Sequence, residues 1–168
     1  MSGAPPPDRG AKSASASVTP DAAGGARSVT GKGPPEMPMS LRPVGWPTPR
    51  GYADGMSARG RLIVTAGQIG WDPLTGAFAS DDLADQTAQA LRNLVAVLHS
   101  AGASADHLVR LTWYITDRDD YLAARSSIGE HYRSIIGRHF PAMAVVFVSS
   151  LVESRAKVEI EATAVIPE

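Results

Sequence analysis

Hydrophobic and polar positions alternate along Val158 to Val165: Val158, Ile160, Ala162 and Ala164 fall on one side, Glu159, Glu161, Thr163 and Val165 on the other. A period of two makes a strand with one apolar face. The same rule predicts a strand over Val109 to Ile115, where Val109, Leu111, Trp113 and Ile115 oppose Arg110, Thr112 and Tyr114. Two short apolar runs, Leu62 to Gln68 and Ala142 to Val148, have strand length, and Pro141 opens the second. A further short strand is expected over Tyr52 to Arg59, turning at Ala58-Arg59-Gly60, after a segment that Pro43, Pro47 and Pro49 keep extended. Asp72-Pro73-Leu74-Thr75-Gly76 reads as a turn. Helical spacing takes over at Leu83, Thr87, Leu91, Leu94, Val95 and Leu98, with Ser80 as the expected N-cap, Asp81 and Asp82 in the first turn and Gly102 as the stop. A second helix is predicted from Asp117 to about Ile136, closed by Gly137, with Tyr121, Arg125, Ile128, Tyr132 and Ile135 spaced 4, 3, 4 and 3.

The predicted order is therefore β-β-α-β-α-β-β, an α+β fold with two helices packed on one face of a mixed sheet. Two helices cover only that face. The other carries Val, Trp, Phe and Ile among its polar residues, which points to another subunit as its cover.

Composition shifts near residue 40. Residues 1–40 are rich in Pro, Gly, Ala and Ser and nearly free of branched aliphatics and aromatics, too poor in apolar surface to offset the entropy of ordering them. They are expected to be a disordered tail, or a mis-assigned start with translation beginning at Met37 or Met39; residues 41–168 form the domain. With 43% hydrophobic residues in 168 the chain can build one core. No stretch has the length and apolarity of a membrane span, and the expectation is a cytoplasmic protein. A net charge of −1 gives no reason to expect nucleic acid. The absence of cysteine excludes thiolate catalysis and thiolate metal sites. His99, His107, His131 and His139 show no metal-ligand spacing, and there is no phosphate loop or GxSxG elbow.

Leu62 to Gly70 (LIVTAGQIG), the Phe140-Pro141-Ala142 opening of the next-to-last strand and the final strand together resemble the RidA family, also called YjgF-like or reactive-intermediate deaminases. The resemblance runs from about Gly51 to Val165. It implies a chorismate-mutase-like fold, a homotrimer with active-site clefts between subunits, and hydrolysis of imines and enamines with no cofactor. Its motif places an arginine that grips the substrate carboxylate where this chain has Met143. The family tyrosine falls on Tyr52 and the Ser-Gly-Gln strand on Ala66, Gly67 and Gln68. A small residue after the arginine becomes Val145, the water-positioning glutamate falls on Glu159, and a ligand-touching asparagine falls on Arg125.

Imine hydrolysis needs water delivered to an electrophilic carbon and a proton for the departing nitrogen. Glu159 is the expected catalytic carboxylate; Tyr52, Ala66, Gly67, Arg125, Met143 and Val145 are the expected substrate contacts. Methionine cannot neutralise an anion, so small 2-imino acids are expected to be poor substrates. Arg125 reads either as an edge arginine whose stem packs or as a cation replacing the missing one. Glu161 reads as a solvated charge on a half-exposed strand and Glu153 as surface. Trp46, Trp71 and Trp113 read as packing, with Trp71 placed to wall a cleft. Two functions remain, an imine or enamine hydrolase and a non-catalytic trimer binding a small metabolite. Ribonuclease activity, attached to some relatives, is a poor third for a chain without a basic aromatic surface.

Overall fold

In the computed structural model, residues 36–168 are described. Most of the expected tail lies outside the described residues. Next to the boundary expected near residue 40, Met39–Leu41 (β1) pairs antiparallel with Gly55–Ser57 (β2). Of the strand predicted over Tyr52 to Arg59, only that central part forms.

Arg61–Val64 (β3), Gln68–Ile69 (β4), Leu108–Ile115 (β5), Ala142–Phe147 (β6) and Val158–Ile166 (β7) make the main sheet, ordered β3-β7-β5-β6 with β4 also on β7. The β5–β6 pair is parallel and the others antiparallel, so the sheet is mixed. Leu83–Ser100 (α1) and Arg118–Ile135 (α2) pack on one face. The core beneath them holds Leu83, Leu91, Leu94 and Leu98 of α1 against Leu111, Trp113 and Ile115 of β5 and Val158, Ile160, Ala162 and Ala164 of β7. The alternation along β7 divides buried from half-exposed positions from Val158 to Ala164, and Val165, on the polar side, is buried as well. Burial of these side chains is the main stabilising term, roughly 1.5–3 kcal/mol for each large aliphatic.

Four details depart from the sequence reading. Asp82, not Ser80, caps α1, its carboxylate accepting from the backbone N–H of Ala84 and Asp85. Ser80 instead accepts from the Asp82 N–H and donates to Asp85. The run Leu62 to Gln68 breaks into β3 and β4 at a bulge. Val64 pairs with Thr163 and Gln68 with Ile160, so four steps on one strand face three on the other. Thr65 fills the break, donating its N–H to the Ala162 carbonyl (3.0 Å) and accepting the Ala162 N–H on its hydroxyl (3.0 Å). Thr112 is buried although it lies on the face away from the helices, and its hydroxyl has no partner among the described residues. Trp46 is 58% exposed and packs into no core.

Helix ends follow local chemistry. Asp117 caps α2 through the N–H groups of Asp119 and Asp120, and Gly102 and Gly137 follow the two helices at positive φ. Gln86 and Asn93, buried on α1, tie the helix to the strands that carry the site. Gln86 Nε2 donates to the Ser80 and Arg155 carbonyls and its Oε1 accepts from Lys157 N–H. Asn93 Nδ2 donates to the carbonyls of Ile69 and Trp71.

Candidate functional site

The sheet separates the predicted site residues into two groups. In register, Leu111 stands beside Met143 and Trp113 beside Val145, so Met143 and Val145 lie on the helix-bearing face. Tyr114 stands opposite Glu159 and Thr112 opposite Glu161, which puts both glutamates on the open face.

On the open face the bulge presses Gly67 against Glu159. A Cβ added to Gly67 would lie 2.5 Å from Glu159 Cδ and 2.6 Å from Cγ, and closer still to Oε1. Glycine is what allows this approach. The Glu159 side chain makes no hydrogen bond or ion pair with any described residue. Ala66 is exposed beside it, and its carbonyl accepts from Gln68 Nε2. Glu161 is not simply solvated, because it accepts the Tyr114 hydroxyl at 3.3 Å. Partial desolvation first, then the Glu161 charge, raise the Tyr114 phenol above its ordinary value.

On the helix face, between β6 and α2, lies a cavity of about 300 Å³. Met143 and Val145 line it from the strand, Arg125 and Tyr121 from the helix, and Arg50 and Gly51 from the loop before β2. Trp113, Tyr132 and Phe140 form its aromatic wall. Tyr132 stacks between Phe140 (centroids 5.3 Å apart, planes 10° apart) and Trp113 (6.4 Å, 30°). Tyr132 donates its hydroxyl to the His139 carbonyl at 2.8 Å, and burial pushes its phenol far above the ordinary value. The Trp113 indole N–H is buried and has no acceptor among the described residues. Arg125 is exposed at the cavity rim, in keeping with a position beside the helix's apolar stripe.

Arg125, Met143 and Val145 are therefore brought together, and Ala66, Gly67 and Glu159 are brought together on the other side of the sheet. Tyr52 joins neither group; it is 45% exposed and lines a separate hollow with Arg42, Thr48 and His139. Trp71 lies in the turn after β4, bridged to Phe78, and lines neither cavity. Sequence reading missed Arg50, whose place in the cavity depends on a loop fold without periodicity. It also missed Gln86 and Asn93, whose polarity on the buried stripe of α1 was a signal, since a buried amide needs partners. Among the described residues no group of three or more His, Cys, Asp or Glu is placed to hold a metal ion, and no helix is long and apolar enough to cross a membrane.

The chain resembles known proteins over most of its length. The family described as "Endoribonuclease L-PSP" matches residues 47–166. A RutC family protein of Pyrococcus horikoshii is 37% identical over 119 residues, covering 70% of this chain and 90% of the relative. The 2-iminobutanoate/2-iminopropanoate deaminase of Salmonella typhimurium is 34% identical over 117 residues, covering 68% and 86%. Among solved structures, a Rid family protein of unknown function from Yersinia pestis superposes with a TM-score of 0.69 at 28% identity, covering 78% of this chain and 100% of that one. The family match, these relatives and the two helices on a mixed sheet agree: the chain belongs to the RidA family, also called YjgF-like.

Proposed function

We propose that this protein hydrolyses a reactive imine or enamine metabolite without a cofactor, as a RidA-type deaminase. The observation that carries the reading is the Gly67–Glu159 contact. It holds a carboxylate that has no hydrogen-bond or ion-pair partner among the described residues, at the position where the family orients water, beside the retained Gly-Gln pair. A carboxylate so placed can accept a proton from the attacking water and return it to the leaving nitrogen.

Neither half of the site is sufficient in one protomer, because the sheet stands between Glu159 and the Arg125–Met143 cavity. A homotrimer with active-site clefts between subunits resolves this by setting one protomer's open face against its neighbour's β6 edge. Leu62 and Val64, 62% and 68% exposed on the open face, supply the apolar surface for that contact. The cavity wall at Met143 has lost the cation that holds small 2-imino acids, so these substrates are disfavoured. The same change supports the second reading, a trimer that binds a metabolite without turning it over.

Imines generated in solution from a panel of amino acids by an amino-acid oxidase test the reading. Faster loss of imine with the wild-type protein, abolished by Glu159→Gln, is the expected result. No acceleration with any imine, alongside a metabolite that raises the melting temperature, would move the assignment to the binding module.

A further inference from the structure

The cavity between β6 and α2 combines two chemistries, cationic and aromatic. Arg50, Arg125 and Arg133 line it, and no Asp or Glu does. None of the three arginines forms an ion pair or side-chain hydrogen bond with a described residue. A concave site with cations and no acid concentrates anions. The remaining lining is almost wholly apolar or aromatic: Trp113, Tyr121, Tyr132, Phe140, Met143 and Val145.

Resting on the imine-hydrolase reading, we infer that this cavity takes a 2-imino acid with an aromatic side chain, its carboxylate held from the helix by Arg125 and its ring against the Trp113–Tyr132–Phe140 stack. An apolar ligand without charge would leave the guanidinium cluster unused. A small dianion would leave the apolar part of the lining, Phe140, Met143 and Val145 among it, without a partner. An amphipathic anion satisfies both. At about 300 Å³ the space lies at the lower end of ordinary ligand pockets, with room for a ring that a three-carbon imino acid does not fill. Aromatic walls favour a flat substituent, because ring faces and edges attract one another beyond the area they bury. The planar guanidinium of Arg125 suits a two-pronged grip on the carboxylate. Met143, where the family has its cation, becomes part of the apolar floor and adapts its thioether to the ring. In the reaction, water oxygen bonds to the imine carbon, the C–N bond breaks and nitrogen leaves as ammonia. The product is the aromatic 2-oxo acid, and no oxidant or reductant is consumed.

The test compares imines formed by an L-amino acid oxidase from phenylalanine and from alanine, with semicarbazide trapping to follow their loss. The wild-type protein is expected to show kcat/KM about 10-fold or more higher for the phenylalanine-derived imine, the discrimination one good apolar subsite provides. Arg125→Ala should lower that value by about 10- to 100-fold, the weight of a charge-assisted contact. Assembly and melting temperature should not change, because Arg125 is exposed. Arg125→Lys should restore part of the loss. A preference for the alanine-derived imine would overturn this inference and leave imine hydrolysis standing. If neither imine is turned over, calorimetry with phenylpyruvate separates the two ideas. Binding that Arg125→Ala abolishes would uphold the aromatic-anion pocket and remove the hydrolase reading, and no binding would overturn both.

Discussion

Glu159 lies so close over Gly67 that no other residue fits at position 67 without moving the carboxylate. The three nearest atoms all belong to the glutamate side chain, so an added methyl group displaces the side chain and leaves the backbone in place. Gly67→Ala is therefore expected to fold and assemble while losing at least about tenfold in kcat, a barrier change of about 1.4 kcal/mol. Circular dichroism and single-turnover kinetics on the same sample check it. Unchanged turnover would detach Glu159 from the chemistry.

Met143 lies on the opposite face of the sheet from Glu159, in the wall of the proposed substrate cavity. Met143→Arg restores the cation the family carries and is expected to create or raise activity on 2-iminopropanoate, by about 10- to 100-fold for one charge-assisted carboxylate contact. Steady-state rates with alanine- and serine-derived imines are the measurement. No gain would mean that the missing arginine is not what limits the site.

Asn93 reaches from α1 to the backbone on either side of Gly70, donating at 3.1 Å to Ile69 and 2.9 Å to Trp71. Asn93→Leu leaves two carbonyls without that donor and is expected to cost about 1–3 kcal/mol. Chemical unfolding reads the cost directly. A matching fall in activity is expected because the same contacts hold β4, which begins one residue after Gly67.

Alkaline stability should report on Tyr132. Its phenol titrates far above 10.0 in the folded chain because it is buried. Above that value the unfolded chain has lost a proton that the folded chain keeps. The contribution is therefore fully present below pH 10 and falls as pH rises toward the folded value. Tyr132→Phe should flatten the decline in melting temperature between about pH 9.5 and 11, while costing about 1 kcal/mol at neutral pH for the lost bond to His139. An equally steep alkaline decline in the variant would assign the effect to other groups.

The proposed trimer rests on the open sheet face. Val64 is exposed in the single chain, so Val64→Glu should leave the protomer folded while placing a charge in the proposed subunit contact. Sedimentation analysis is expected to show a trimer for the wild type and smaller species for the variant. A wild-type monomer, or a variant trimer of equal stability, would place the interface elsewhere.

Much of the architecture was legible because it rests on periodicity. The alternation along β7 and β5 and the stripe on α1 each assign a side to every residue, and burial follows those sides except at Thr112 and Val165. Glu159, Gly67, Met143 and Val145 were named from the family motif that the chain resembles, and strand register then gave Met143, Val145 and Glu159 their faces. Less was legible where the chain departs from a repeat. The bulge at Thr65 replaces a backbone pairing with a side-chain hydroxyl, which no period announces. Arg50 reaches the cavity through an irregular loop, and Tyr52, two residues on, turns away into another hollow.

The sequence by itself therefore determined the element order, the apolar faces and the family, because side-chain periodicity and local motifs are properties of the chain. Only the tertiary structure decided that Glu159 and Met143 stand on opposite faces of one sheet, and that Arg50, Arg125 and Arg133 share an aromatic-walled cavity without an acid. Strand register and loop path bring those groups together or keep them apart, and both arise from contacts between residues far separated along the chain.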